Sequence, residues 1–222
     1  MELFPTPEPP GLLFYEKEME DRGFSFIAGV DEAGRGPLAG PVVAAAVIIH
    51  DTTILPEGIN DSKKLTASIR AKLKKEIEEN PNFEIGIGIA DNNEIDDINI
   101  LNATHLAMKR AVEKLKKCDI CLIDGLPIKG LHIEHKAIVK GDSKSLSIAA
   151  ASIIAKETRD EMMIKYAEQF PEYSFEKHKG YGTKAHTQAL NEHGPCKIHR
   201  FSFAPVREAS TPNQSGDLFN EN

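Results

Sequence analysis

The chain is expected to fold as an α/β domain around a mixed sheet, and three observations carry that expectation. Residues 41–49 form a near-continuous Val/Ala/Ile run, typical of a strand covered on both faces. Residues 66–79 and 99–117 repeat apolar side chains at helical spacing. The order of elements, with strands early and then helix, strand, strand and helix, belongs to the α/β class.

The elements follow in chain order. Residues 1–11 contain Pro5, Pro7, Pro9 and Pro10, which oppose regular structure, and the stretch 1–22 is expected to be a flexible or extended lead-in. The domain proper is placed at residues 23–208. Its first strand, 26–30, carries Phe26, Ile27 and Val30; the second is the apolar run at 41–49. A helix over 66–79 is predicted by Ile69, Leu73 and Ile77 at i, i+4 and i+8. The strand Phe83–Ala90 alternates isoleucine with glycine, so one face carries bulk while the other admits a close neighbour, expected to be a large residue. Leu101, His105, Met108, Val112 and Leu115 predict the helix over 99–117. Strands over 120–123 and 136–139 come next, then a helix over 145–170 whose Ala149-Ala150-Ala151 lets it lie close against a sheet. After about Val206 the sequence turns polar, and residues 209–222 have too little apolar surface to offset the entropy of ordering.

Among 222 residues, 34 acids outnumber 27 Lys and Arg, a net charge of -7 that argues against a uniformly basic surface but leaves room for a local basic groove. Acids that face inward and hold divalent cations would count as negative while being neutralised in place. Three cysteines give no disulfide framework, and no amino-terminal apolar stretch resembles a secretory signal. The longest apolar run falls far short of the about 20 residues a membrane span needs. A soluble, cytoplasmic protein is expected, without a membrane partner.

Asp31 and Glu32 sit between the first strand and a glycine-rich turn. Alternate strand side chains face opposite ways, so the two carboxylates diverge unless the strand ends there, and the turn is expected to begin at Glu32. Gly34 and Gly36 supply a backbone that can take positive φ and approach a ligand, and Arg35 supplies a planar cation suited to phosphate or sugar oxygens. Asp124 closes the strand at 120–123 and precedes Gly125, where α/β folds place ligand-binding groups; Asp142 precedes the long helix. Singly, each also suits a plainer role: a turn at Asp124-Gly125, a helix cap at Asp142, a solvent-facing Glu32. Jointly, four oxygen ligands favour Mg²⁺ or Mn²⁺ over zinc, and two ions about 4 Å apart can activate a water and stabilise a leaving oxygen.

Several motifs occur in one succession: Asp31-Glu-Ala-Gly-Arg-Gly-Pro37, Asp61-Ser-Lys-Lys-Leu65, Ile123-Asp-Gly125, Lys140-Gly-Asp-Ser-Lys-Ser145 and His178-Lys-Gly-Tyr-Gly-Thr-Lys184. With them the chain resembles ribonuclease HII from about residue 26 to residue 206. The resemblance implies a ribonuclease H-like fold, a mixed five-stranded sheet flanked by helices, and an endonuclease that cuts RNA joined to DNA in a duplex. The cut leaves a 3′-hydroxyl and a 5′-phosphate, and the expected state is a monomer. By similarity, Asp31, Glu32, Asp124 and Asp142 are catalytic acids that hold two divalent ions, Mn²⁺ or Mg²⁺. The turn Gly34-Arg35-Gly36 would contact the 2′-hydroxyl that separates RNA from DNA, and Tyr181 would pack against the sugar and bond that hydroxyl. Lys63, Lys64, Ser143, Lys144 and Lys179 are phosphate contacts by the same resemblance, giving salt-sensitive affinity without choosing the cut.

The turn is of the HII type, and the lead-in is too short for the extra domain of the sibling ribonuclease HIII. An exonuclease or junction resolvase of the same fold class, acting on all-DNA substrates, is the second enzyme reading, and a non-catalytic hybrid-binding module is the third. Cys118 and Cys121 have C-x-x-C form, but positions three apart on a strand face opposite ways, and no second pair exists for zinc. His132, His135, His186, His193 and His199 lack a recognisable ligand spacing and are taken as surface or packing residues. Gln214-Ser-Gly-Asp-Leu-Phe219 loosely resembles a peptide that docks on a replication sliding clamp.

Overall fold

The computed structural model describes residues 11–59, 62 and 65–210. The helices are α1 (Phe14–Asp21), α2 (Ala67–Glu79), α3 (Asn92–Val112), α4 (Leu146–Gln169), α5 (Phe175–His178), α6 (Lys184–His193) and α7 (Ala204–Ala209). The strands are β1 (Ile27–Ala33), β2 (Val42–Ile49), β3 (Phe83–Ala90), β4 (Ile120–Asp124) and β5 (Glu134–Ile138), in the order β3-β2-β1-β4-β5. β1 runs antiparallel to β2, and β2 to β3, while β4 is parallel to both β1 and β5. This is the mixed five-stranded sheet, flanked by helices, that the resemblance implied. No helix among the described residues is long and apolar enough to cross a membrane.

Two apolar layers explain the uninterrupted run of β2. Ala44, Ala46 and Ile48 face the layer of Ala103, Ala107, Met108 and Ala111 from α3, whereas Ala45 and Val47 face Ile153 and Ile154 of α4 and Leu73 and Ile77 of α2. With both faces covered, every residue of the strand but Ile49 at its end is buried.

The alternation of β3 was expected to admit a large residue, and the structure corrects this. A Cβ on Gly86 would lie 2.0 Å from the Ala111 carbonyl oxygen, and one on Gly88 would lie 1.9 Å from that of Ala107. The backbone of α3 fills the space, because its facing residues are alanines. That helix also begins earlier than the spacing predicted. Asp91 and Glu94 form a reciprocal capping box at its start. Asn99 (φ 66°) interrupts it, and the Asn99 side-chain oxygen accepts from the amides of Leu101 and Asn102 at 3.0 and 3.1 Å. The apolar stripe read from residue 99 is the second segment.

A second correction concerns the lead-in. Residues 14–21 form α1, whose Met19 is fully buried among Ile27, Ile120, Leu122, Ile138 and Ile148. Glu16 is buried too and accepts from Ser145 Oγ at 2.6 Å, Ser147 N at 3.0 Å and Ser147 Oγ at 2.8 Å. The prolines stop at Pro10, and beyond them α1 covers one end of the sheet while its acid satisfies the first turn of α4. At the other end of the chain, α7 buries Val206. The polar stretch 211–222, with its clamp-like peptide, lies outside the described residues.

Candidate active site

The parallel register sets Val30 opposite Ile123, so Asp31 and Asp124, one residue further on, stand level where the pairing of β1 with β4 ends. β1 continues to Ala33 rather than turning at Glu32. The adjacent acids therefore do diverge, and a cavity of about 310 Å³ wraps around the strand so that Asp31, Glu32 and Asp124 all line it. Asp31 is turned towards α4, where Ser152 is a hydrogen-bonding neighbour, and its Oδ1 accepts from the Glu32 amide at 2.7 Å. Glu32 also lines a smaller recess on the α3 side with His105, Met108 and Leu126.

Asp142 is buried in the 3-10 turn Gly141–Ser143, next to the Gly141 amide that donates to Asp124 Oδ1 at 2.6 Å. The turn carrying Asp142 is thus tied to the strand carrying Asp124, though Asp142 is not among the described residues that line the cavity.

Crowding of like charges in a dry place shows in the acids themselves. Burial, and then the charges of Glu32 and Asp124, hold the Asp31 carboxyl well above the usual carboxylate range. Burial also raises Glu32, opposed by Arg35, whose Nη1 is 3.3 Å from Glu32 Oε1. Among the described residues, no three His, Cys, Asp or Glu side chains already form a metal cage. The donor chemistry nevertheless fits a hard divalent cation: the donors are oxygens only, and their mutual repulsion is what such a charge would offset.

The opposite wall is the turn Gly34-Arg35-Gly36, facing Tyr181. Gly34 takes φ 98°, which other residues rarely adopt. A Cβ on Gly36 would meet only the Tyr181 ring, at 3.8 Å, so this glycine keeps the gap between turn and ring open. Tyr181 is 43% exposed, enough for its ring to meet a ligand.

A family model described as Ribonuclease HII matches residues 28–206. The chain belongs to the ribonuclease HII family. It is similar to the ribonuclease HII of Acetivibrio thermocellus, 55% identical over 193 residues that cover 86% of this chain and 75% of that one. The ribonuclease HII of Syntrophotalea carbinolica is 49% identical over 209 residues, 94% of this chain and 99% of that one. Among solved structures, the ribonuclease H2 from Pyrococcus horikoshii matches with a TM-score of 0.69 at 27% identity, over 83% of this chain and 96% of that one. As a ribonuclease HII, the protein is an enzyme, a hydrolase of the ribonuclease H endonuclease class.

Of the residues expected to touch phosphate, Ser143, Lys144 and Lys179 are not among the described residues that line the cavity. Lys144 Nζ donates back to the Val139 carbonyl at 2.8 Å, Ser143 Oγ to that of Lys140 at 2.9 Å, and Lys179 Nζ to that of Glu176. Each closes its own turn instead. Lys63 and Lys64 lie outside the described residues. Besides Arg35, the cations lining the cavity among the described residues are Arg70 and Lys156, which the sequence reading missed. Arg70 Nε meets Glu157 at 2.6 Å, and Lys156 meets Asp160 at 2.5 Å. Ser152 and Lys156, four apart on one face of α4, were the available signal.

The cysteine pair also departs from expectation. The Cys118 and Cys121 sulfurs are 3.5 Å apart, because Cys118 precedes the first residue of β4 and strand alternation does not govern it. His186 and His199 are fully buried packing residues, whereas His193 is exposed.

Proposed function

We propose that this ribonuclease HII cuts the RNA strand of RNA-DNA hybrids and single ribonucleotides embedded in duplex DNA. The cut falls on the 5′ side of the ribonucleotide and leaves 3′-hydroxyl and 5′-phosphate ends. The observation that carries the reading is one cavity lined both by the carboxylates Asp31, Glu32 and Asp124 and by the glycine turn 34–36 with the exposed Tyr181. Asp31, Glu32, Asp124 and Asp142 are the residues that would hold Mg²⁺ or Mn²⁺. When bound, two such ions supply an activated water and a stabilised leaving oxygen.

The chain's own groups supply the rest. Gly34 and Gly36 let backbone approach the ribose closely, and a 2′-hydroxyl there gains partners that a deoxyribose lacks. The Tyr181 ring offers a face for the neighbouring sugar and a hydroxyl for the same group. Arg35, Arg70 and Lys156 place positive charge beside the acids, where the phosphate must sit. We read the working unit as a monomer; three free thiols suit a reducing cytoplasm.

The test is cleavage of an end-labelled duplex with one ribonucleotide, beside an all-DNA duplex and a long hybrid, with Mg²⁺, with Mn²⁺ and with chelator. A single metal-dependent cut 5′ of the ribonucleotide is expected, and none in the all-DNA duplex. Asp124→Asn should abolish cutting while leaving the circular dichroism spectrum intact. Wild-type rates from that variant would remove Asp124 from the site, and cutting of the all-DNA duplex would reassign the substrate.

A further inference from the structure

Two buried guanidiniums stand behind the cavity and bind its two reading loops into one body. Arg159 of α4 donates through Nε to the Pro41 carbonyl at 2.9 Å, through Nη2 to Ala39 at 3.1 Å and through Nη1 to Lys179 at 3.0 Å. Arg200 donates through Nε to the Gly40 carbonyl at 2.9 Å, through Nη1 to Arg35 at 2.9 Å and through Nη2 to Gly34 at 2.5 Å. All six carbonyls belong to the segment 34–41 or to the loop that carries Tyr181. The Leu38 amide donates to Gly180 at 2.8 Å and the Arg200 amide to Leu38 at 2.9 Å, closing the seam.

Burying a cation is costly unless its donors are used, and a rigid planar fork spreads its donors wide enough to reach carbonyls of separate backbone segments. Burial lowers Arg159 to about 10 and Arg200 to about 9, so both remain cations at neutral pH. The Arg159 guanidinium also lies 5.9 Å from the centroid of the Tyr181 ring. Gly34 completes the fit: a Cβ there would come 2.1 Å from Arg159 Nε, so the glycine lets the arginine pass beneath the turn.

We infer that Arg159 and Arg200 are positioning residues for the cut, holding the Gly34-Arg35-Gly36 turn and Tyr181 at a fixed separation so that one ribose is gripped from both sides. This rests on the proposed reading of that turn and Tyr181 as ribose contacts. Asp31 and Glu32 are held separately, by pairing of β1 with β2, and Asp124 by pairing of β4 with β5. A loosened latch therefore impairs registration of the ribose before it impairs the acids. A lone ribonucleotide offers one register, whereas a long hybrid offers many, so the lone ribonucleotide suffers more.

Arg159→Lys and Arg200→Lys keep the charge but lose the fork. Each is expected to lower kcat/KM on the one-ribonucleotide duplex by about 10- to 100-fold, as misplacement on the scale of 1 Å does. On the long hybrid the loss should be several-fold smaller, with the Mn²⁺ concentration for half-maximal rate unchanged. Equal losses on both substrates, or none on either, would overturn the inference. Should both variants fail to fold, hydrogen exchange on the wild-type protein decides: peptides covering 34–41 and 178–183 should be protected alike, and exchange of either at the rate of an open loop refutes the latch. Tyr181→Phe, run in parallel, separates the two ideas. If it leaves the ratio between substrates unchanged, the ribose reading fails and the inference falls with it; if it shifts the ratio and the arginine variants do not, only the latch fails.

Discussion

The Tyr181 carbonyl lies 3.0 Å from Nδ1 of His186, and this contact ends a chain of buried imidazoles. His186 Nε2 lies 3.0 Å from His199 Nε2, and His199 Nδ1 accepts from the Cys196 amide at 2.9 Å. Because that amide can only donate, the His199 proton rests on Nε2. His186 then accepts at Nε2 and donates to Tyr181 from Nδ1. Both rings must be neutral for the chain to hold.

Stability should therefore fall in acid. Burial, and then the neighbouring His186, lower His199 to about 4, and burial followed by His178 lowers His186 as well. The unfolded imidazoles take a proton near 6.5, whereas the folded ones resist it. Their contribution is thus fully present above about 6.5 and is lost as pH falls towards 4, at about 3 kcal/mol for His199 alone. Urea unfolding at pH 7.5, 5.5 and 4.5 measures this. His199→Gln should flatten the slope while lowering stability at neutral pH; an unchanged slope in that variant would place the acid sensitivity elsewhere.

The crowded acids predict the opposite behaviour at the metal site. A carboxyl whose folded pKa is raised contributes stability below its unfolded value, near 3.9, and loses it as pH rises through the folded one. At neutral pH, metal-free Asp31→Asn should therefore be more stable than wild type, by about 1–2 kcal/mol, as when activity is traded for stability. Mn²⁺ should raise the melting temperature of the wild type more than that of the variant. A variant that melts lower without metal, yet gains as much from Mn²⁺, would contradict both the repulsion and the ligand role.

Much of this architecture was legible because it rests on local periodicity. The face-to-face burial of β2, the helix at 66–79 capped by Thr66 and the strand end at Asp124 are all written in short windows. Asp31, Glu32 and Asp124 each suited a plainer role when read singly and drew notice only as a set, and all three line one cavity. The rest depended on distant pairs. Arg70 reaches the cavity beside Glu157, a partner 87 residues away, whereas Lys156 pairs with Asp160 one helical turn on, and Lys144 and Lys179 turn back onto carbonyls of their own turns. Glu16 fell within the stretch read as a lead-in, because its partners Ser145 and Ser147 lie about 130 residues away along the chain.

The glycines of β3 give a packing test. The Ala107 carbonyl lies where a Gly88 side chain would begin, and the Ala111 amide would be 2.5 Å away. Backbone on both sides cannot yield as a flexible side chain would. Gly88→Ala should cost about 2–3 kcal/mol, towards the upper end for overpacked cores, with the cleavage pattern of the residual folded protein unchanged. A loss under about 0.5 kcal/mol in chemical denaturation would mean that α3 lifts freely from the sheet.

The last test concerns α1. If residues 1–22 were a lead-in, a chain starting at residue 23 would be as stable as the whole. Met19 is fully buried, however, and Glu16 accepts from three donors at the start of α4, directly after the turn that carries Asp142. Met19→Ala should cost about 2–5 kcal/mol, like other large-to-small core changes. Glu16→Gln, which keeps shape but loses charge at a helix N-terminus, should cost about 1–2 kcal/mol. It should also weaken Mn²⁺ activation more than Met19→Ala does, because the turn bearing Asp142 leads straight into the end of α4 that Glu16 anchors. Denaturant melts and Mn²⁺ titrations of cleavage on the same variants decide it. Equal stability of the shortened chain would show that α1 rests on the sheet without holding it, and a Glu16→Gln variant with wild-type Mn²⁺ dependence would uncouple α1 from the metal site.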